Sequence, residues 1–554
     1  MKELLFRALE PGFFEQVRVR SDYAAVRAYL DEQYEKWCTG EVRASRYSEF
    51  ILFSTTGDRT AYQENFFHRQ HRLFTLGFMA MIYADREDYL RELCDSIWDI
   101  CDQYVWALPA HIENVNVYDR CQLDLDATSM SFALCVIKAV LGDRLPELIR
   151  NRIHEEIRYR VIDPFLAQRW HWEFRENNWT SVCAGSVGCT VMLEYPELFD
   201  TIVDRIDEDM RGYLSGFRDD GVCSEGPGYW FYGFGYFLSY ADMVYRFTDG
   251  RINYFEDKKA KEVATFFEKI ILSKNVVANF GDCGPNAVIA PGFLYILKTW
   301  FPHVAVPAAE RMEFMVHYFP TMLYTLTYFN PEWSGGSLEP AEYYMEHTGW
   351  YTKRTPKYSF AARGGSNGES HNHNDVGSFI FVTHDRQVIC DIGNGIYTRQ
   401  FFEQDKRYTF LCASSRGHNV PFINGKEQGN PKDSHSTTAF DGKTFTVEFH
   451  KPYDIPALTE LTRRYTCLED GVHMEDSAVF DGELQITERF VTLDEPRLED
   501  GAIIFNGARL LYDAALATAS YHAEKKDGTD QDVYLIDLAV KPGVSKFTCD
   551  IYAE

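Results

Sequence analysis

The chain has 554 residues, 45% hydrophobic and 25% charged, with a formal net charge of −27. That length exceeds one ordinary hydrophobic core, so two or three domains are expected. The acidity argues against a nucleic-acid partner, which needs a basic face, and a polyanionic ligand would need a local basic cleft inside an acidic envelope.

No membrane partner is expected, because no apolar run reads as reaching the roughly 18 residues of a span. The first ten residues hold too short an apolar stretch for a signal peptide, which makes a cytoplasmic location the expectation. Thirteen cysteines without a CxxC pair fit reduced thiols.

In chain order, apolar residues recur at i, i+3 and i+4 over 22–30 and 90–100, then over 129–141, 179–193, 198–217 and 258–272. Many helices of similar length with short breaks suggest paired helices wound into a toroid or solenoid. Within this half, Asn177-Asn178-Trp179 precedes a helix rich in small residues. Asparagines there are helix N-caps, or one amide projects into a cleft as a neutral donor with Trp179 beneath it. Next comes Glu225-Gly-Pro-Gly-Tyr229-Trp230-Phe231-Tyr232, continuing to Tyr236. The turn starts a helix on which Tyr229, Tyr232 and Tyr236 share one face. Such a stripe is core packing, or the aromatic and hydroxyl lining that a sugar ring needs. Asp282, in the loop 279–286, is a candidate for a substrate hydroxyl. A linker over 333–340 separates this half from the next.

Grammar then changes: every tryptophan lies at or before Trp350, while Asp-Gly steps gather at 441, 470, 481, 500 and 527. Asp-Gly supports hairpin turns, and alternating runs over 444–449, 484–491 and 533–540 read as strands of an antiparallel sandwich or barrel. Its most informative segment is Ser370-His371-Asn372-His373-Asn374-Asp375, followed by Asp391 and His418. Histidines at i and i+2 of a strand share a face. Two imidazoles and a carboxylate suit zinc or a neighbouring ion, which leaves one histidine for catalysis. Arg363, Arg399, Lys406 and Arg407 lie around this segment and offer a basic lining.

These segments, in this order, resemble the heparinase II/III-like polysaccharide lyases, a family of glycosaminoglycan and alginate lyases. The pieces carrying the resemblance are Asn177-Asn178-Trp179, Glu225 to Tyr232, His371 to Phe379, Asp391-Ile-Gly and Ser414 to Val420. It implies a multidomain α+β chain: an N-terminal (α/α) toroid over 1–335, then a C-terminal antiparallel β-sandwich over 336–554 carrying the metal site. It also implies β-elimination at a uronic acid, giving a 4,5-unsaturated product from an acidic oligo- or polysaccharide, most naturally a glycosaminoglycan. Asn178 takes the role of carboxylate neutraliser, with Asn177 beside it. Tyr232 is the best match to the catalytic tyrosine, with Tyr229 its rival; His371 matches the catalytic histidine. A second tyrosine falls on Tyr408 or Tyr397. Structural Zn2+ falls to His373, Asp391 and His418. Trp179, Glu225, Tyr229, Trp230, Asp282, Arg363 and Arg407 are the expected substrate contacts, and a homo-oligomer is left open. Rival readings are a cupin-like metalloenzyme, a glycoside hydrolase using Glu225 and Asp282, and a non-catalytic glycan binder.

Overall fold

The computed structural model describes residues 7–112, 120–305, 313–330, 338–369, 371–398, 400–431 and 433–554. Helices occupy the chain to Phe319–Thr327, and a long series of strands begins at Ala341–Met345. The expected boundary at 335 and most of the 333–340 linker lie outside the described residues, as do Ser370 and Arg399.

Two kinds of helix alternate along the first part. Thr60–Ile82, Leu125–Leu141, Asn178–Glu194 and Pro227–Phe247 are buried along most of their length. Between them, Glu87–Asp102, Glu147–Ile157 and Phe199–Ser215 bury a single stripe, such as Ile202, Ile206, Met210 and Tyr213, at the spacing of a helix with one wet face. An inner helix followed by an outer one, repeated, builds the double-layered toroid. Small residues permit its inner packing: a Cβ at Gly188 would fall 2.5 Å from the Tyr240 ring. Leu125–Arg144 proves apolar and long enough to cross a membrane by composition, contrary to expectation, yet 67% of its apolar window is buried in the protein.

The helix expected over 258–272 is broken into Lys258–Ala264 and Phe266–Ile270. Its end becomes Ile271–Ser273, paired with Val276–Val277. Side chains of the adjacent sheet capture its carbonyls: Thr352 donates to Lys269, Arg354 to Ile271 and Ser359 to Leu272. Bonds from another layer override helical propensity there.

Three antiparallel sheets follow. Five strands run in chain order from Ala341–Met345 to Arg386–Ile389; a second sheet has eight strands and a third has four. In the five-stranded sheet, Ser359–Arg363 and Phe379–Thr383 are buried at every position, because both faces are covered. Trp350, Ala361, Ile380 and Val382 join the helical core, while Tyr351, Phe360, Ala362, Phe379 and Phe381 join the sandwich core with the other sheets. The sheet is therefore the wall shared by both halves. Of the five late Asp-Gly steps, four place glycine at positive φ, at 442, 482, 501 and 528. The fifth, Gly471, instead opens a strand whose partner backbone leaves no room for a Cβ, 2.1 Å from the Ile551 oxygen.

Candidate active site

A groove of about 830 Å³ lies between the halves, within the range of roughly 300–1,000 Å³ typical of ligand clefts. The helical half supplies Arg175, Asn178, Arg218, Glu225 and Tyr229, and the sandwich half supplies His347, Ser366, Glu369, Ser434 and His435. Asn177 caps the helix Asn178–Glu194 by accepting from Trp179 N at 3.1 Å, which leaves Asn178 on the groove. A Cβ at Gly233 would stand 3.0 Å from that of Asn178. The missing side chain thus brings the Asn178 helix against the helix carrying Tyr229.

Tyr229 lies one turn into Pro227–Phe247, where it meets the sandwich half. Its ring is 4.4 Å from that of His371, and its hydroxyl is 3.5 Å from His371 Nδ1 and 3.3 Å from the Tyr397 hydroxyl. Burial pushes the Tyr229 phenol up to about 12, against the lowering effect of the Tyr397 hydrogen bond. Glu225, nearby on the same wall, has its carboxyl raised by burial, with His371 opposing.

Beneath the groove, the fully buried carboxylate of Asp282 joins the catalytic candidates to a second cluster. It accepts from His371 Nδ1 at 2.8 Å, His373 Nε2 at 3.0 Å and Arg407 Nη2 at 2.9 Å. Burial opposes its ionisation, but the two imidazole bonds and the Arg407 charge outweigh it and hold the carboxyl below its ordinary range. An ionised acceptor fixes tautomers: each neutral imidazole carries its proton toward Asp282 and its lone pair on the other nitrogen. His371 sits at φ 52, in the left-handed region, and the loop carrying Asp282 approaches its carbonyl so closely that a Cβ at Gly281 would be 3.2 Å away.

The second cluster consists of His373, Asp391 and His418, all buried, with one potential ligand atom from each lying within 4.8 Å of the others. His418 turns Nε2 toward the Cys412 carbonyl at 2.9 Å, which leaves its lone pair on Nδ1. His373 Nδ1 is buried without a hydrogen-bond partner, and His418 Nδ1 and Asp391 Oδ2 face each other at 3.3 Å. Two imidazoles and a carboxylate converging in a buried pocket are a donor set that fits a divalent cation.

The sequence over 340–491 matches the family model "Heparinase II/III-like, C-terminal". Residues 340–491 are therefore a heparinase II/III-like C-terminal region. No curated protein matches it by sequence. Among solved structures, it superposes on a heparinase III (TM-score 0.63, 14% identity, 100% of this chain and 94% of that one). It also superposes on a mutant of the heparan sulfate lyase HepC from Pedobacter heparinus (0.62, 12%, 99% and 91%). A chondroitin AC lyase from Streptomyces coelicolor A3, solved with chondroitin sulphate, gives 0.60 at 12% identity, covering 98% and 82%. At these identities the likeness is one of fold.

Several expected contacts fall elsewhere. Tyr232 packs on Tyr236 and Tyr318, at 5.5 and 5.4 Å between rings; Tyr229, one turn earlier, is the residue that meets His371. Trp230 is wholly buried among Phe266, Phe267 and Phe293, and its indole donates to the Val263 carbonyl at 3.0 Å, so it is core. Trp179 rests against His111 and His171, not beneath Asn178. Asp282 has its oxygens committed to protein donors, so it meets no substrate hydroxyl. Arg363 is buried on Asp375 and Glu369 and Arg407 on Asp282 and the Asn372 carbonyl, so both are turned inward, while Lys406 is exposed and pairs with Glu403. Tyr408 donates to Asn372 Oδ1 at 2.9 Å, whereas Tyr397 is the second phenol beside Tyr229. His371 and His373 lie in a loop, not on one strand face, and Asp282 is what relates them. The sequence reading missed Arg175, Arg218, His347 and His435; Arg175, three residues before Asn178, was the one within reach of a motif.

Proposed function

We propose that this chain is a lyase that cleaves uronic-acid-containing glycans, glycosaminoglycans foremost, by β-elimination. The observation that carries the reading is the contact of the Tyr229 phenol with His371 and Tyr397 across the halves, on the groove that also holds Asn178. An amide bonded to the uronate carboxylate stabilises the charge that develops as the C5 proton leaves. Tyr229 takes that proton. The C5–H electrons form the C4=C5 bond as C4–O4 breaks, and the departing O4 takes a proton from Tyr229 or its partner Tyr397. A phenol held near 12 is a poor base at rest; the Nδ1–H of His371, set between Asp282 and the phenol oxygen, stabilises the phenolate once it forms. Tyr229 replaces Tyr232 in this role, and Tyr397 is preferred to Tyr408.

A divalent cation, zinc by the character of the donor set, would be held by His373, Asp391 and His418 and brace the loops carrying His371 and His418. These ligands are shut from the groove, which disfavours a cupin-like role in which the metal meets substrate. The hydrolase pair of Glu225 and Asp282 is disfavoured because Asp282 is committed to three donors. Incubation with a panel of uronate glycans tests the proposal: an ultraviolet-absorbing unsaturated product supports it, and new reducing ends without that chromophore contradict it.

A further inference from the structure

Two guanidiniums on the groove, Arg175 and Arg218, are in no ion pair among the described residues, although Arg218 acts at longer range on the Glu369 carboxyl. Arginines nearby are engaged: Arg169 and Arg205 bind Glu173 at 2.9 and 2.6 Å, and Arg211 binds Asp207 at 2.9 Å. Arg175 lies over the Trp179 ring, its guanidinium carbon 5.7 Å from the centroid. Arg218 is set by its neighbour but one, because Asp220 clamps its turn to the sandwich half by accepting from Thr348 N at 2.8 Å and Thr348 Oγ1 at 2.9 Å. The opposite wall is also built, since Ser366 bridges to His435 and its hydroxyl bonds that of Ser434 at 2.9 Å. Of the groove's carboxylates, Asp219 pairs with Lys259 and Glu369 with Arg363; Glu176 and Glu225 remain.

We propose that Arg175 and Arg218 form an anion subsite for the sugar flanking the one held at Asn178 and Tyr229, taking either a sulfate ester or a second uronate carboxylate. This rests on the lyase reading above. One anionic group is met by the Asn178 amide, so these two guanidiniums on the same groove call for another. A guanidinium fork matches both oxyanions by paired hydrogen bonds.

The test compares matched oligosaccharides whose flanking sugar carries a sulfate, a carboxylate or neither. In Arg175→Gln and Arg218→Gln, the preference in kcat/KM for the charged over the uncharged flank should fall about tenfold, and further in the double variant, with Arg218→Lys recovering part of it. The arm that loses more, sulfate or carboxylate, names the group. Binding of the same labelled oligosaccharides, followed by fluorescence anisotropy in a Tyr229→Phe background, reads the subsite without turnover. A wild-type chain that cleaves no uronate glycan defeats the lyase reading, and the binding arm still decides the subsite. An unchanged preference in both arms, or equal losses on charged and uncharged flanks, overturns it.

Discussion

Replacing Asp282 with asparagine preserves side-chain volume and removes the charge on which three donors converge. His371, His373 and Arg407 reach it at 2.8, 3.0 and 2.9 Å. An amide offers one acceptor oxygen and two N–H groups, so at least one of these donors must face another donor. Losing one charge-assisted bond costs about 1.5–3 kcal/mol. Leaving Arg407, 8% exposed, without its counter-charge carries the total toward about 3–5 kcal/mol. That is a large part of an ordinary folding stability of roughly 5–15 kcal/mol. The carboxyl is held below its ordinary range, so its contribution is present above about pH 4 and is lost as pH falls through the lower folded value. Wild type and variant should therefore differ at neutral pH and converge only in strong acid. Catalytically, His371 loses its anchor, and kcat should fall roughly 10- to 100-fold with a smaller change in KM. Denaturant unfolding at several pH values, metal analysis and steady-state kinetics make the comparison. An Asp282→Asn chain with wild-type midpoint and wild-type kcat would refute the reasoning.

Tyr229→Phe should cost about 10²- to 10⁴-fold in turnover, while Tyr232→Phe stays within a few-fold; kinetics giving the reverse ranking would reassign the base. His373→Ala should lower metal content and melting temperature together, and lost metal with unchanged melting would deny the ion its bracing role. Trp230→Ala should destabilise by about 3–5 kcal/mol, well beyond Trp179→Ala, and equal unfolding midpoints would contradict the core assignment. With the Tyr229 phenol pushed up to about 12 by burial, kcat/KM should climb from about pH 7 to about pH 9. A flat profile there points to a different base.

The order of motifs and the change from helical to hairpin grammar were legible because both are local. Choosing among Tyr229, Tyr232 and Tyr236 was not: helical spacing puts them on one face, and only the contact with the sandwich half decides which turn meets His371. The histidine pair reads as one strand face by alternation, whereas both lie in a loop with left-handed backbone at His371, and the Asp282 carboxylate joins their rings. Arg363 and Arg407 looked like substrate contacts since a positive charge in sequence says nothing of direction; Asp375 and Asp282 turn them inward. Arg175 and Arg218 lie far apart in the chain, and only packing brings them to one groove. Asp282 carried no motif of its own, and its importance lies in donors that arrive from the other half.

Absorbance of a conjugated uronate, followed while the purified chain acts on acidic glycans, tests the central claim most directly. The account predicts that the signal grows with wild type and collapses with Tyr229→Phe. Bond cleavage without it, or an undiminished signal from the variant, would contradict the account.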